Sequence, residues 1–123
     1  MRHILLPDVG GLGQTALLVA CARIDLSDGG PAELIAASYL VAGGVGTVVA
    51  RNASEPELAT LAGFCPDTRL VTRTPEGVTC STVSLPPPPP WWPAATGDAT
   101  ALAFWRGALA ATRWMADVAN ASR

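Results

Sequence analysis

Lysine is absent from this chain of 123 residues, and all eight of its cationic side chains are arginine. Chemistry that needs a lysine amine, such as a Schiff base or a lysine clamp on a phosphate, is therefore excluded for this chain acting alone. Histidine occurs once, as His3, and no G-x-S-x-G nucleophile turn accompanies it. Hydrolysis by a serine or cysteine triad is thus not expected, and no catalytic residue is predicted.

Charge and cysteine are also sparse. Charged residues make up 15% of the chain and the net charge is -2, so no binding of nucleic acid or of an anionic membrane is expected. Cys21, Cys65 and Cys80 are an odd number without a C-x-x-C pair. We therefore predict no metal site, and we expect buried thiols in a reducing compartment.

Long apolar runs are interrupted. Pro7 and Asp8 break the first apolar stretch, which argues against a signal peptide. Residues 34–50 are uncharged, but three glycines divide them into a helix and a strand, so no membrane span is predicted. A cytoplasmic location is expected.

Half of the residues are apolar, which is typical of a globular domain. Pro31 suits the first turn of a helix, and Ser54 followed by Glu55 and Glu57 resembles a helix N-cap. The alternation of these helices with apolar strands predicts an α/β fold, Rossmann-like, with a mostly parallel sheet, flanking helices and reduced size. The predicted helices are 14–20, 31–42, 55–64 and 98–119, and the predicted strands are 21–27, 47–50, 68–73 and 78–85.

Residues 86–90 are five consecutive prolines, followed by Trp91 and Trp92. Such a run adopts a polyproline II helix of roughly 15 Å, at about 3.1 Å per residue. The favoured interpretation is a rigid connection whose tryptophans pack back on the domain. The alternative is a docking segment for an aromatic-lined groove on another protein.

The last predicted helix is apolar on almost all sides, apart from Arg106, Arg113 and Asp117. A chain of this size cannot cover such a helix alone, so a partner helix is expected, most simply that of a second copy across a two-fold axis. The predicted interface residues are Leu102, Trp105, Leu109, Trp114 and Val118.

Two blocks of the sequence carry recognisable motifs. The first is RHILLPDVGGLGQ with its continuation from Arg23 to Gly46, which ends in YLVAGGVG, and the second is GALAATRWMADV from Gly107. Both blocks resemble the ThiF/MoeB/HesA-like family, which adenylates ubiquitin-like and sulfur-carrier proteins. The resemblance implies one shortened ThiF-like domain. Its parts are an N-terminal arm and helix (1–22), a βαβαββ core (23–85), a Pro/Trp-rich linker (86–97) and a C-terminal helix (98–123).

The sequence departs from the family pattern in the ATP site. In register with the phosphate-binding loop, the chain has Gly29 and Gly30 followed by Pro31, which lacks an N–H, while Glu33 adds a carboxylate. Asn52 stands where the family has its ribose-binding aspartate, and the lysine-bearing segment, the catalytic cysteine region and the zinc-binding pairs are missing. Asp25, Asp28 and Glu33 could hold a cation, but solvated or capping acids are the favoured interpretation.

Arg2 matches the family's arginine that reaches across the dimer to the partner's ATP. Arg2, Gly29, Gly30 and Asn52 therefore define a vestigial nucleotide site, with no cofactor expected and ATP disfavoured. The leading hypothesis is a non-catalytic scaffold that forms a homodimer or pairs with an intact ThiF-like enzyme, with a ubiquitin-like carrier protein as a possible further partner. The alternatives are a divergent adenylyltransferase that binds ATP and a docking module that uses its polyproline segment.

Overall fold

The computed structural model describes residues 11–27, 30–91 and 99–121. The elements follow the order αβαβαββα. The helices are α1 (Gly11–Val19), α2 (Pro31–Ala42), α3 (Glu55–Ala62) and α4 (Ala99–Ala121), and the strands are β1 (Cys21–Asp25), β2 (Thr47–Arg51), β3 (Arg69–Val71) and β4 (Ser81–Thr82).

The four strands form one parallel sheet in the order β3-β2-β1-β4. The predicted α/β fold with a parallel sheet and flanking helices is therefore confirmed, as a small Rossmann-like sheet. The order reverses at β1, because β2 and β3 follow on one side of it and β4 lies on the other. This reversal places a topological switch point between β1 and β4.

Helix α2 begins and ends where the sequence predicts. Pro31 occupies its first turn and Gly43 is its C-cap, with the Gly43 N–H bonded to the Tyr39 carbonyl at 2.8 Å. Helix α3 opens with a capping box, in which the Ser54 hydroxyl accepts from the Glu57 N–H and the Glu57 carboxylate accepts from the Ser54 N–H at 2.8 Å. The capping box satisfies an N–H group that the first turn of α3 leaves without a partner, and the Gly43 N–H satisfies a carbonyl of the last turn of α2.

The core lies between one face of the sheet and the helices. Ala22 and Ile24 of β1 and Val48 and Ala50 of β2 belong to a single buried cluster with residues of α2 and α4. Cys21 and Val49, which alternate with these residues along the strands, are buried but lie outside that cluster. The helices therefore pack on one face of the sheet, as the period of two along a strand requires.

Helix α4 approaches α2 closely because Gly107 has no side chain. A Cβ built on Gly107 would collide with the backbone carbonyl oxygen of Ala32 and lie 2.9 Å from Cβ of Ile35. Small residues on the buried side of α4 continue this contact: Ala103, Ala110 and Ala111. The apolar character of α4 is thus used in part within the chain.

Candidate functional site

The carboxyl ends of β1 and β2 and the start of α2 lie next to the switch point between β1 and β4. Open α/β sheets bind their ligands outside the carboxyl ends of the strands at such a point. Asp25 ends β1, Asn52 follows β2 directly, and Gly30 precedes the first residue of α2. Strand pairing matches Asp25 with Arg51, so Asn52 lies beside the carboxylate of Asp25. These residues form the candidate site.

Asp25 is held by two hydrogen bonds in this site. Its Oδ1 accepts from the Asn52 side-chain amide at 3.0 Å and from the Ser27 backbone N–H at 2.8 Å. Asn52 itself has a left-handed backbone, with φ of 62°, a conformation that asparagine tolerates better than most residues. The Asn52 amide, and after it the Ser27 N–H, lower the pKa of Asp25 from 3.8 to about 2. The site therefore carries a fixed negative charge at neutral pH.

The start of α2 is occupied by a side chain of its own first turn. Gly30 is the N-cap in an extended conformation, and no side chain caps it by a hydrogen bond. The Glu33 carboxylate lies against Gly30, since a Cβ built there would collide with Oε1 of Glu33 and lie 3.4 Å from its Cδ. This carboxylate stands at the positive end of the helix, where a bound phosphate would have to lie.

The residues of this site do not fit a nucleoside triphosphate. Asp25 and Glu33 bring two carboxylates to the place that such a ligand would occupy, and Pro31 offers no N–H. The amide of Asn52, predicted as a trace of the ribose site, donates instead to Asp25. Arg2, Gly29 and Asp28 lie outside the described residues, so the structure does not place them.

In the described part of the chain, no group of three His, Cys, Asp or Glu side chains lies close enough together to hold a metal ion.

The five predicted interface residues of α4 do not share one environment. Trp114 is only 9% exposed, and its indole N–H donates to the Ser81 hydroxyl at 2.9 Å. Trp114 therefore belongs to the core cluster of this chain, and its role in an interface stays a prediction. Val118 is half-buried and packs against the core cluster, whereas Leu102, Trp105 and Leu109 are half-buried and stay candidates for an interface.

The expectation of three reduced cysteines is wrong. Cys21 at the start of β1 and Cys80 just before β4 form a disulfide, with their Cα atoms 4.6 Å apart and a separation of 59 positions in sequence. Cys65 is buried outside this bond. The pairing could be anticipated only by placing β4 next to β1, since nothing in the spacing of the cysteines indicates it.

Polar contacts that the sequence did not reveal fasten β4 and the proline run to the rest of the domain. The Arg23 guanidinium donates to the Thr82 hydroxyl, at 2.9 Å from Nη2. The Nε of Arg106 donates to the carbonyl of Pro86 at 2.7 Å, which ties the first proline to α4. Trp91 at the far end is 73% exposed, so the expected packing of the tryptophans on the domain is wrong for Trp91. Trp92 lies outside the described residues.

A groove of about 380 Å³ separates β4 and the first prolines from α4, and Arg113 and Asp117 line its helical side.

Within residues 11–27, 30–91 and 99–121, no helix has both the length and the apolar character needed to cross a membrane. Neither a scan of protein-family profiles nor a comparison with curated proteins gives a match to this chain.

Proposed function

We propose that this chain is a non-catalytic, ThiF-like pairing scaffold, which acts as a homodimer or as a pseudo-subunit beside an intact ThiF-like enzyme. The observation that carries the proposal is the position of the Glu33 carboxylate against Gly30 at the start of α2. A helix N-terminus can stabilise one anionic group through its N–H groups and dipole. In this chain the Glu33 carboxylate, from the first turn of α2, lies at that position.

The charge of the site supports the same conclusion. Asp25 has a pKa of about 2 and is ionised at every physiological pH, so it would repel a phosphate placed beside it. No lysine exists in the chain to offset this repulsion. A divergent adenylyltransferase would need both carboxylates to move away before ATP could enter, and no observation favours that alternative.

The pairing surface in this proposal is the outer side of α4. Leu102, Trp105 and Leu109 recur at intervals of three and four residues and are half-buried, on the side away from Gly107 and α2. Phe104 lies outside this stripe, toward α2: it is 51% exposed, and its ring stands edge-on to that of Tyr39 in α2 at 5.9 Å. A stripe of large apolar side chains at this spacing matches the face that one helix presents to another.

Light scattering at tens of micromolar tests the pairing, and a dimer is expected. Leu109→Glu places a charge on the stripe and should shift the protein to a monomer, because an unpaired carboxylate is costly in an apolar interface. Ala59→Glu adds the same charge to the exposed side of α3 and should leave the dimer intact. A wild-type monomer, or equal behaviour of the two variants, would refute the homodimer, and a heterodimer would then require capture by an intact ThiF-like enzyme.

A second candidate is the docking module, which the exposure of the proline run favours. Pro87, Pro88 and Pro90 are exposed and Trp91 is 73% exposed, so the run offers a ridge to an aromatic-lined groove. Replacement of residues 87–90 by alternating glycine and serine would abolish capture of such a partner. Unchanged capture would eliminate this function.

A cytoplasmic location belongs to the pairing proposal, because ThiF-like adenylation uses cytoplasmic ATP and carrier proteins. The disulfide between Cys21 and Cys80 bears on this point, since disulfides persist mainly in oxidising compartments. Alkylation of thiols in intact cells decides between the two. If Cys21 and Cys80 are alkylated, their thiols are free and the protein lies in a reducing compartment. If they are not alkylated because they form the disulfide, the cytoplasmic assignment is contradicted.

A further inference from the structure

The sheet has two edges, and they differ in how they could receive a partner. At one edge, β4 pairs with β1 over two residues and is followed by the proline run, which cannot donate backbone hydrogen bonds. At the other edge, β3 pairs with β2 on one side, and within residues 11–27, 30–91 and 99–121 no strand pairs with its other side. The β3 edge is therefore the one at which a further strand could add.

The backbone of β3 is set for such an addition. The Arg69 N–H donates to the Gly46 carbonyl at 2.8 Å, so it points toward β2. Successive N–H groups alternate in direction along a strand, and that of Leu70 therefore points away from the sheet. A groove of about 460 Å³ runs along this edge from Arg69 to Pro75, with Leu58 of α3 on its helical side.

The two sides of this groove have different chemistry. Leu58 and Leu70 lie on the side of the helices, where both are half-buried against the core. Arg69 and Arg73 are exposed, and neither guanidinium group has a hydrogen-bond or ion-pair partner within the part of the chain that the structure describes. None of the residues that line the groove is acidic. An extended chain laid along the edge would thus meet leucines with one face and arginines with the other.

We propose that the β3 edge binds an extended peptide segment in which acidic and apolar residues alternate, by addition of that segment to the sheet as a fifth strand. The acidic residues face Arg69 and Arg73, and the apolar residues face Leu58 and Leu70. A second copy of this chain is disfavoured here, because a two-fold axis would bring the Arg69 and Arg73 side chains of both copies together. The surface lies at the opposite edge from β4 and α4, so it is independent of the pairing proposed above.

Fluorescence anisotropy tests this inference with a labelled peptide of alternating glutamate and valine, about eight residues long. Saturable binding is expected, and it should weaken as salt is added, because the arginines are exposed. Arg69→Gln and Arg73→Gln should each lower the affinity by about 2- to 5-fold, the range of an exposed ion pair. Arg113→Gln on α4 removes an exposed arginine far from β3 and should leave the affinity unchanged.

The strand-addition geometry is tested by methylating the peptide backbone. Methylation of every second N–H blocks one edge of the peptide, so only one of the two possible methylation patterns should abolish binding. The proposal is overturned by the absence of saturable binding, by wild-type affinity in both arginine variants, or by equal binding of a lysine–valine peptide. Tighter binding of a single-stranded oligonucleotide, with the same dependence on Arg69 and Arg73, would overturn it in favour of a nucleic-acid surface.

Discussion

The Cys21–Cys80 bond should be the largest single contribution to the stability of this domain. It closes a loop of 59 residues, and the entropy that such a closure removes from the unfolded chain corresponds to roughly 4 kcal/mol. The strand that it fastens is short, since β4 pairs with β1 only at Ala22 and Arg23, and side-chain hydrogen bonds from Arg23 and Trp114 add to this pairing. Because small domains unfold with about 5–15 kcal/mol in total, loss of the bond should remove a large fraction of the stability.

Urea unfolding measures this effect directly. With a denaturant slope of about 2 kcal/mol per molar, reduction or the double substitution Cys21→Ser/Cys80→Ser should lower the midpoint by roughly 2 M. Reductant should have no effect on the double variant, whereas Cys65→Ala should still respond to reductant because Cys65 lies outside the bond. A midpoint that moves by less than about 0.5 M would refute the argument from loop closure.

Three further predictions concern packing and charge. Gly107→Ala should lower the free energy of unfolding by about 1–3 kcal/mol in urea, because its Cβ meets backbone of α2, whereas Gly63→Ala should be near neutral with the closest atom at 3.4 Å. Asn52→Gly keeps the left-handed backbone and removes the amide donor, so NMR titration should show the pKa of Asp25 rising from about 2 toward 3.8. An unchanged pKa would exclude the Asn52 hydrogen bond as the cause of the lowered value. Trp114→Phe should cost about 0.5–1.5 kcal/mol by loss of its hydrogen bond to β4, and no change in thermal unfolding would contradict that role.

The sign of the pH dependence follows from the lowered pKa of Asp25. Folding favours the ionised carboxylate, so Asp25 contributes to stability above the ordinary pKa near 3.8, and this contribution is lost as the pH falls toward about 2. Asp25→Asn should therefore flatten acid unfolding in that window. An acid transition of unchanged shape would show that the hydrogen bonds to Asp25 do not favour its ionised form.

Local signals in the sequence predicted the helices well. Pro31 and Gly43 bound α2, and Ser54 with Glu57 fixes the start of α3, because caps act within one turn of the chain. The strands were predicted in the right places, but β1, β3 and β4 were predicted too long and β2 one residue too short. β3 and β4 lie at the edges of the sheet, where only one neighbour extends the pairing, and they are three and two residues long.

Contacts between distant residues could not be predicted in the same way. The disulfide joins residues 59 positions apart, and its existence depends on β4 crossing back to lie beside β1. Trp114 is predicted as an interface residue because its neighbours in the sequence of α4 are apolar. Those neighbours do not indicate that its indole N–H donates to Ser81, which is 33 positions away. The Asp25–Asn52 hydrogen bond was within reach of sequence reasoning, since both residues end neighbouring parallel strands.

The central proposal is that carboxylates of this chain keep a nucleotide away from the carboxyl ends of β1 and β2. Calorimetric titration of the purified protein with Mg·ATP tests this claim most directly, because Glu33 and Asp25 stand where the phosphates would lie. We predict no saturable binding up to millimolar ATP. The binding free energy of ATP would then be less favourable than about −4 kcal/mol. Saturable binding with a micromolar Kd would contradict this proposal.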